Sequence, residues 1–493
     1  MSDAHHLADD DRISLLTSRS LRDHEPAPVE YCHLTHSLRQ LLYQQKQYEC
    51  ERRVSERHEV INRMLSFLRA WLFSMMESKG LREALNSMPT FRLRQFGSLR
   101  LGVQDFYSDI DLCFVAPRWV TREEFFTGFP RMLEQYSHEI TKLSVLPSAY
   151  VPVIRATCHD IQVDIVFART EVDEISRELD LLAGANIESL ISDIRCVRSL
   201  NGYRVTEMVL RFVPRYRVFQ LALKAIRYWA KCQKIYSHTL GYLGGVSWAI
   251  LVAKVCTMFP KAGAARILNK FFLVMSQWRW PEPVMLLPEG YGVSSQLWSI
   301  TQMPWDIMPI ITPVYPQQNS SFNVSKSTLL VMKNALTEGV RITDDILMER
   351  CDWKSFFHPV HIADMYEHYV VLQTFRYTTD PHEKELWIMS VERSMKKFLN
   401  GIDACARCAI KYLHVSPDYS VLTRQDHIQV SWLFGVQFLP EAKQYLGDLS
   451  THTDGLFTAV DSSLPPKTLS QDKDFIRSLF VDRRHALELM EIK

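Results

Sequence analysis

FGSLRLGVQDFYSDIDLCFV, residues 96–115, is the stretch of sequence that decides the fold. It places a Gly-Ser pair ahead of the triplet Asp109-Ile110-Asp111, and the apolar residues after the triplet favour a β-strand. Because strand side chains alternate between faces, we expect Asp109 and Asp111 to project from one face and Ile110 from the other. Two adjacent carboxylates repel each other unless a cation lies between them. A hard divalent cation such as Mg²⁺, which prefers oxygen ligands, would relieve that repulsion.

A third carboxylate lies in a second β-rich run, IQVDIVFA at residues 161–168, in which Asp164 is the one charged residue. An acid in an apolar strand predicts a partner or a ligand, because an unpaired charge is costly to bury. If this strand pairs beside the first, three carboxylates converge and can hold two metal ions for a phosphoryl transfer. Gly97 and Ser98 would then bind phosphates through backbone N–H groups and the hydroxyl. Each motif alone more often marks a turn or a solvated loop, but the ordered set is more specific.

The composition is typical of a globular protein. Hydrophobic residues make up 47% of the chain and charged residues 23%, with a net charge of +1. Any nucleic-acid binding therefore requires a local cluster of basic residues. The first residues show no secretory signal, and the apolar run at 241–259, which contains three glycines and Lys254, predicts a buried helix rather than a membrane span. No membrane partner is expected.

Local patterns predict where several helices begin. Residues 36–78 carry apolar side chains at helical spacing, which predicts N-terminal helices. Thr121 with Glu124 three residues later forms a capping-box pattern, which predicts a helix from that point. Asn201-Gly202 predicts a turn before a later helix.

Two further patterns bear on ligand binding. Arg227 and Lys231 lie four residues apart and therefore share one face of a predicted helix. This pair could bind a triphosphate or form a solvated face, and spacing alone does not decide. Beyond about residue 347, the order strand, helix, strand, strand predicts an α+β sandwich of RNA-recognition type. Its segments are 366–377, 391–402, 406–415 and 428–438.

The sequence resembles the eukaryotic nuclear poly(A) polymerases of the polymerase-beta nucleotidyltransferase superfamily. The resemblance runs from about residue 50 to 440 and is carried by FGSLRLGV, SDID, VPVIRATCHDIQVDIVFAR, LGYLGGVSWAILVAK and MPIITPVYPQQNSSFNVSKST. It implies an α+β protein with a polymerase-beta-type nucleotidyltransferase domain, a helical central domain and an RNA-recognition-like C-terminal α/β sandwich. We expect a mobile tail at 1–35, then N-terminal helices and the catalytic domain at 36–190. The central domain is expected at 191–346 and the RNA-binding domain at 347–493, with the first helices packed against the central domain.

The resemblance also implies roles for individual residues. The catalytic, metal-binding carboxylates are Asp109, Asp111 and Asp164. The ATP-site candidates are Phe96, Gly97, Ser98, Asp105, Asn201, Arg227, Lys231, Tyr236, Gly245 and Val246. The candidates for contact with the RNA primer are Tyr150, Arg155 and Asn323.

Three residues depart from the family pattern. Leu99 follows the Gly-Ser pair where the family usually has Tyr, and Arg227 replaces a Lys that approaches the triphosphate. Asp105 adds a negative charge near the predicted metal site. These departures predict an affinity for metal or nucleotide that differs from the family's.

The activity that the resemblance implies is template-independent addition of AMP from ATP to the 3′-hydroxyl of RNA. Such a polynucleotide adenylyltransferase would use two ions of Mg²⁺ or Mn²⁺ and polyadenylate mRNA 3′ ends in the nucleus. Its expected partners are ATP, the RNA 3′ end and a cleavage and polyadenylation complex, and the chain is expected to be a monomer. Two alternatives stay open: a catalytically silent RNA-binding scaffold on the same fold, and a terminal uridylyltransferase.

Overall fold

The computed structural model describes residues 32–81, 90–176, 178–182, 187–287, 298–378, 380–404, 410–440, 450–463 and 474–490. The tail expected at 1–35 falls almost wholly outside these ranges, and its last residues begin helix α1, Cys32–Gln44. Every helix within the described ranges is too short or too polar to cross a bilayer.

The strands that carry Asp111 and Asp164 belong to a mixed five-stranded sheet. Its strands are β1 (Arg92–Phe96), β2 (Ile110–Ala116), β3 (Ile140–Leu146), β4 (Val153–Cys158) and β5 (Ile161–Arg169). The spatial order is β1-β2-β5-β4-β3, in which β2 and β5 are parallel and the other neighbours are antiparallel. The two strands predicted from the carboxylate motifs are therefore direct neighbours.

Within the described residues, four helices accompany this sheet: α2 (Glu51–Ser78), α3 (Gly97–Leu101), α4 (Arg122–Glu134) and α5 (Ile187–Leu190). The predicted capping box is present, because the Thr121 hydroxyl accepts the N–H of Glu124 and the Glu124 carboxylate accepts the N–H of Thr121. Helix α1 packs with the helices of the central region, whereas α2 contributes Trp71 and its neighbours to the core of the first sheet. The first helices were expected to pack with the central domain. Helix α1 does so, but α2 packs its apolar face against the first sheet instead.

The central region consists of α6 (Ile194–Phe212), α7 (Tyr216–Cys232), α8 (Gly245–Met258), α9 (Ala264–Ser276), α10 (Lys326–Leu347) and α11 (Trp353–Phe356). Helix α8 forms the buried helix predicted at 241–259. The turn predicted at Asn201-Gly202 is wrong, because both residues lie inside α6. Gly202 serves close packing instead: a Cβ there would lie 2.6 Å from the ring of Phe96.

The C-terminal region begins with a short 3₁₀ helix at Ile362–Asp364. Its elements then follow as β6 (His368–Arg376), α12 (Pro381–Ala404), β7 (Ile410–Thr423), β8 (Ile428–Phe438), α13 (Ser450–Ser463), β9 (Phe475–Asp482) and α14 (Arg483–Leu489). The sheet order is β7-β8-β6-β9, so the elements form a β-α-β-β-α-β unit. The RNA-recognition-like sandwich is confirmed, although the sequence patterns missed α13 and β9.

Candidate active site

A cavity of about 500 Å³ lies where the first sheet meets helices α6, α7 and α8. It brings together ten residues expected at the ATP or metal sites: Gly97, Ser98, Asp105, Asp109, Asp111, Arg227, Lys231, Tyr236, Gly245 and Val246. Three other expected residues, Phe96, Asn201 and Asp164, are not among its lining residues. The cavity is built from segments more than a hundred residues apart in sequence, so the fold assembles it.

The Gly-Ser pair closes one end of this cavity at the start of α3. Gly97 has a φ of +65°, and a Cβ there would lie 2.2 Å from Oδ2 of Asp111. The backbone N–H of Gly97 donates to Oγ1 of Thr206 over 3.2 Å. Ser98 Oγ is buried and, within the described part of the chain, has no hydrogen-bond partner. A buried hydroxyl is rarely left unpaired, so Ser98 is available to a ligand in the cavity.

The carboxylates of Asp109 and Asp111 both line the cavity. Asp111 lies opposite Asp164 in the parallel register of β2 and β5. Burial, followed by the charges of Asp109 and Asp164, raises the pKa of Asp111 to about 8. Burial and the charge of Asp164 also raise the pKa of Asp109. These oxygen donors suit a hard divalent cation, which would remove the repulsion.

The carboxylate of Asp164 is hydrogen-bonded to an arginine on the neighbouring strand β4. Arg155 on β4 lies opposite Asp164 in register and donates Nε to Oδ1 over 3.0 Å and Nη2 to Oδ2 over 2.8 Å. Gln162 Nε2 also donates to Oδ1 of Asp164, over 3.2 Å. Among the described residues, no group of three His, Cys, Asp or Glu side chains is arranged to hold a metal ion. The predicted convergence of three carboxylates is therefore incomplete, because the carboxylate of Asp164 is bound to the Arg155 guanidinium.

Basic residues of α7 also line the cavity. Arg227 Nη1 donates to the carbonyl of Val103 over 2.6 Å, and Lys231 Nζ donates to Oδ2 of Asp105 over 2.7 Å. Burial would raise the pKa of Asp105, but the hydrogen bond and charge of Lys231 outweigh it and lower the pKa to about 2. Arg227 and Lys231 thus face the cavity, which resolves the alternative of a purely solvated helix face.

The far end of the cavity is formed by Tyr236 and the start of α8. A Cβ on Gly245 would lie 3.0 Å from Oη of Tyr236, so glycine keeps this end open. Val246 is 42% exposed and also lines the cavity. Asn201 is buried behind this region and accepts a hydrogen bond from Nη1 of Arg204 over 3.0 Å.

The three residues expected to contact RNA lie in different parts of the fold, with Tyr150 after β3, Arg155 on β4 and Asn323 shortly before α10. Tyr150 lies in the segment after β3 and is 62% exposed. Its Oη accepts a hydrogen bond from Nε2 of Gln318 over 2.8 Å. The guanidinium of Arg198 lies 4.5 Å from the centre of the Tyr150 ring. Asn323 Nδ2 donates to the carbonyl of His238 over 3.0 Å. Tyr150 and Asn323 therefore make inter-element contacts, and Arg155 is bound to Asp164.

Sequence reasoning missed two residues that support the site. Thr206 lines the cavity and accepts the N–H of Gly97, while its own hydroxyl donates to the carbonyl of Gly202. Arg100 of α3 is paired with Glu207, with Nη2 2.9 Å from Oε2. The four-residue spacing of Gly202 and Thr206 on one helix face was the available signal, and the incorrect turn prediction concealed it.

The adjacent strands that carry Asp111 and Asp164, with the Gly-Ser helix beside them, are features of a nucleotidyltransferase domain. Residues 18–213 match the model of the poly(A) polymerase nucleotidyltransferase domain, and residues 218–359 match that of the poly(A) polymerase central domain. The chain belongs to the poly(A) polymerase family.

Two curated relatives agree with this assignment. The chain is 34% identical over 398 residues to nuclear poly(A) polymerase 1 of Arabidopsis thaliana, covering 79% of this chain and 54% of the relative. It is 32% identical over 397 residues to the poly(A) polymerase of Dictyostelium discoideum, covering 79% of this chain and 48% of the relative. The chain thus spans about half the length of the curated relatives it matches. A solved structure of the Cid1 poly(U) polymerase with bound MgATP aligns with a TM-score of 0.49 at 15% identity, over 67% of this chain and 100% of that one.

Proposed function

We propose that this protein is a template-independent poly(A) polymerase that transfers AMP from ATP to the 3′-hydroxyl of RNA. The observation that carries the proposal is the single cavity that joins Asp109 and Asp111 to the cations of α7 and to the unpartnered hydroxyl of Ser98. A triphosphate needs cations and hydrogen-bond donors on one side and metal-binding carboxylates on the other. The membership in the poly(A) polymerase family supports the same activity.

The chain's own residues would position the nucleotide. Ser98 and the first N–H groups of α3 would bind phosphate oxygens, while Arg227 and Lys231 would neutralise the triphosphate charge. The adenine would lie between Tyr236 and Val246, where Gly245 leaves space for it. Phe96 and Asn201 would act indirectly, since neither lines the cavity.

The carboxylates Asp109, Asp111 and Asp164 would hold two divalent ions, Mg²⁺ or Mn²⁺. When bound, such ions lower the pKa of the attacking hydroxyl and stabilise the leaving pyrophosphate. Asp164 would take part after leaving Arg155, which at present holds both of its oxygens. The released guanidinium would then be free to bind a primer phosphate.

Primer binding is proposed for the boundary between the catalytic and central regions. The exposed ring of Tyr150 offers a surface on which a base can stack, and the amide of Asn323 is a further proposed contact. Asp164 and its metal ion would lie at the inner end of this path, next to Arg155. The RNA-recognition-like sheet of the C-terminal region would supply further RNA contacts.

The cellular setting is proposed from the relatives. We place the protein in the nucleus, since the Arabidopsis relative is named a nuclear poly(A) polymerase. We further propose that it acts as a monomer recruited by a cleavage and polyadenylation complex. That complex would choose the RNA, because the proposed contacts with primer phosphates carry no sequence information.

The test is extension of a labelled oligo(A) primer with each of the four nucleoside triphosphates in turn, with Mg²⁺ or Mn²⁺. A product ladder with ATP alone is expected. Asp111→Ala should abolish the ladder while its melting curve stays cooperative, and Asp173→Ala, an exposed acid paired with Arg118, serves as the control. A ladder with UTP instead would establish a uridylyltransferase. RNA binding without any ladder would establish the scaffold alternative.

A further inference from the structure

Inside the proposed nucleotide cavity, the carboxylate of Asp105 accepts a hydrogen bond from the ammonium group of Lys231. Oδ2 of Asp105 accepts from Lys231 Nζ over 2.7 Å, while Oδ1 accepts from the hydroxyl of Ser108 over 2.9 Å and from the N–H of Tyr107 over 3.2 Å. Both carboxylate oxygens are therefore bound, and Asp105 and Lys231 both line the cavity.

Two other cations of α7 are held differently. Lys224 Nζ donates to the carbonyl of Gln104 over 2.8 Å, and Arg227 Nη1 donates to the carbonyl of Val103 over 2.6 Å. Their partners are main-chain atoms, which stay in place as long as the loop does. Lys231 is bound instead to a side chain, which can rotate away without moving the backbone.

A carboxylate and a phosphate present the same kind of acceptor to an ammonium group. A triphosphate in this cavity would meet Lys231 together with the negative charge of Asp105. Since the two anions repel each other, they compete for the one ammonium group. The side chain of Lys231 is 43% exposed and that of Asp105 is 18% exposed, so solvent reaches the contact that must break.

We propose that the carboxylate of Asp105 competes with the phosphate groups of ATP and pyrophosphate for binding to Lys231. It weakens ATP binding, and it favours release of pyrophosphate by pairing with Lys231 again after transfer. The inference rests on the proposed function of the same cavity. Asp105 acts here through Lys231 and is a residue that sets affinity, not a catalytic one.

Calorimetric titration of MgATP and of magnesium pyrophosphate into wild type, Asp105→Asn and Asp160→Asn tests the proposal. Asparagine keeps an oxygen for Ser108 and Tyr107 but removes the charge. Asp105→Asn should bind both ligands roughly threefold to thirtyfold more tightly, the range between an exposed and a partly buried ion pair. Asp160 lines the neighbouring cavity and should leave binding unchanged when replaced.

Kinetics separate this role from a structural one. In primer extension, Asp105→Asn should lower KM for ATP without raising kcat, and pyrophosphate should inhibit it at lower concentration than wild type. In a Lys231→Met background, Asp105→Asn should lose most of its effect on ATP binding, as a direct pair requires.

Each other outcome overturns a stated part of the proposal. Unchanged or weaker ATP binding by Asp105→Asn, with a wild-type melting temperature, would show that Asp105 does not compete with phosphate. An equal gain in affinity with and without Lys231 would show that the effect does not pass through that pair. Absence of ATP binding by both wild type and variant would overturn the proposed function itself.

Discussion

Asp111 lies directly opposite Asp164 across the parallel pair β2 and β5, and Arg155 lies opposite Asp164 on its other side. Residues in register on adjacent strands face the same side of a sheet, so the three form a row of acid, acid and base. Arg155 is paired with Asp164, and its charge only partly offsets the effects that raise the pKa of Asp111 to about 8, which are burial, followed by the charges of Asp109 and Asp164. A cation bound beside Asp111 would reduce this repulsion further.

Arg155→Met is expected to raise KM for the RNA primer about tenfold or more and to change KM for ATP less, because Arg155 is proposed to bind a primer phosphate. Primer extension at varied primer and varied ATP measures both. Arg118→Met removes a similar two-bond pair with the more exposed Asp173 and should change neither constant. A larger effect on ATP than on primer would argue against a primer contact.

Gly97→Ala should reduce extension at least a hundredfold. The new Cβ would meet Oδ2 of Asp111 at 2.2 Å, and the φ of +65° disfavours any other residue. Gly80→Ala is the matched control, since Gly80 has a φ of +66° but no atom within 4 Å of the added Cβ. Both variants should lose about 1–2 kcal/mol of stability from backbone strain. Equal activities of the two variants would show that the contact with Asp111 is unimportant.

Lys224 predicts a pH-dependent stability. Burial lowers its pKa to about 8, so between pH 8 and about 10.4 the unfolded chain binds more protons than the native one. The contribution of Lys224 to the free energy of unfolding should therefore rise across that window, by at most about 3 kcal/mol, and stay constant below it. Urea unfolding of wild type and Lys224→Met at several pH values measures the difference. The exposed Lys354→Met should show no such window, and a flat difference profile for Lys224→Met would refute the assignment.

Asp474→Ala should destabilise the C-terminal region by about 3–5 kcal/mol, because it leaves Arg376 buried without its closest partner. The two side chains are 1% and 2% exposed, with Arg376 Nη1 2.5 Å from Oδ2 of Asp474. Glu338→Ala, in an exposed pair with Arg341, should cost well under 1 kcal/mol. Thermal unfolding measures both, and equal melting temperatures would contradict the prediction.

Local sequence patterns correctly predicted the features that depend on interactions between residues close together in the chain. The alternation around Asp109 and Asp111, the capping box of Thr121 and the apolar run of α8 each depend on near neighbours, and the structure contains all three. Motifs and spacing indicated Gly97, Ser98, Asp109, Asp111, Arg227 and Lys231, whereas the resemblance was needed for Asp105, Tyr236, Gly245 and Val246.

Long-range packing decided the remaining features. The residue type of Gly202 favours a turn, but Gly202 lies within α6. Glycine is required there because a Cβ would collide with the ring of Phe96. The pairing of Arg155 with Asp164 depends on which strands are neighbours, and Asp105 meets Lys231 across 126 residues of chain. Strand β9 was missed because its sequence, FIRSLFVD, lacks a regular alternation of apolar and polar residues.

The support of α3 by α6 has a consequence for how the chain is made. Phe96 rests on Gly202, Gly97 donates to Thr206, and Arg100 pairs with Glu207. During synthesis the Gly-Ser segment therefore leaves the ribosome about a hundred residues before the helix that contacts it. The first sheet can pair early, but the proposed site is complete only once α6 has emerged and docked. A nascent or truncated chain that ends at residue 190 would carry all three carboxylates and still lack a working site.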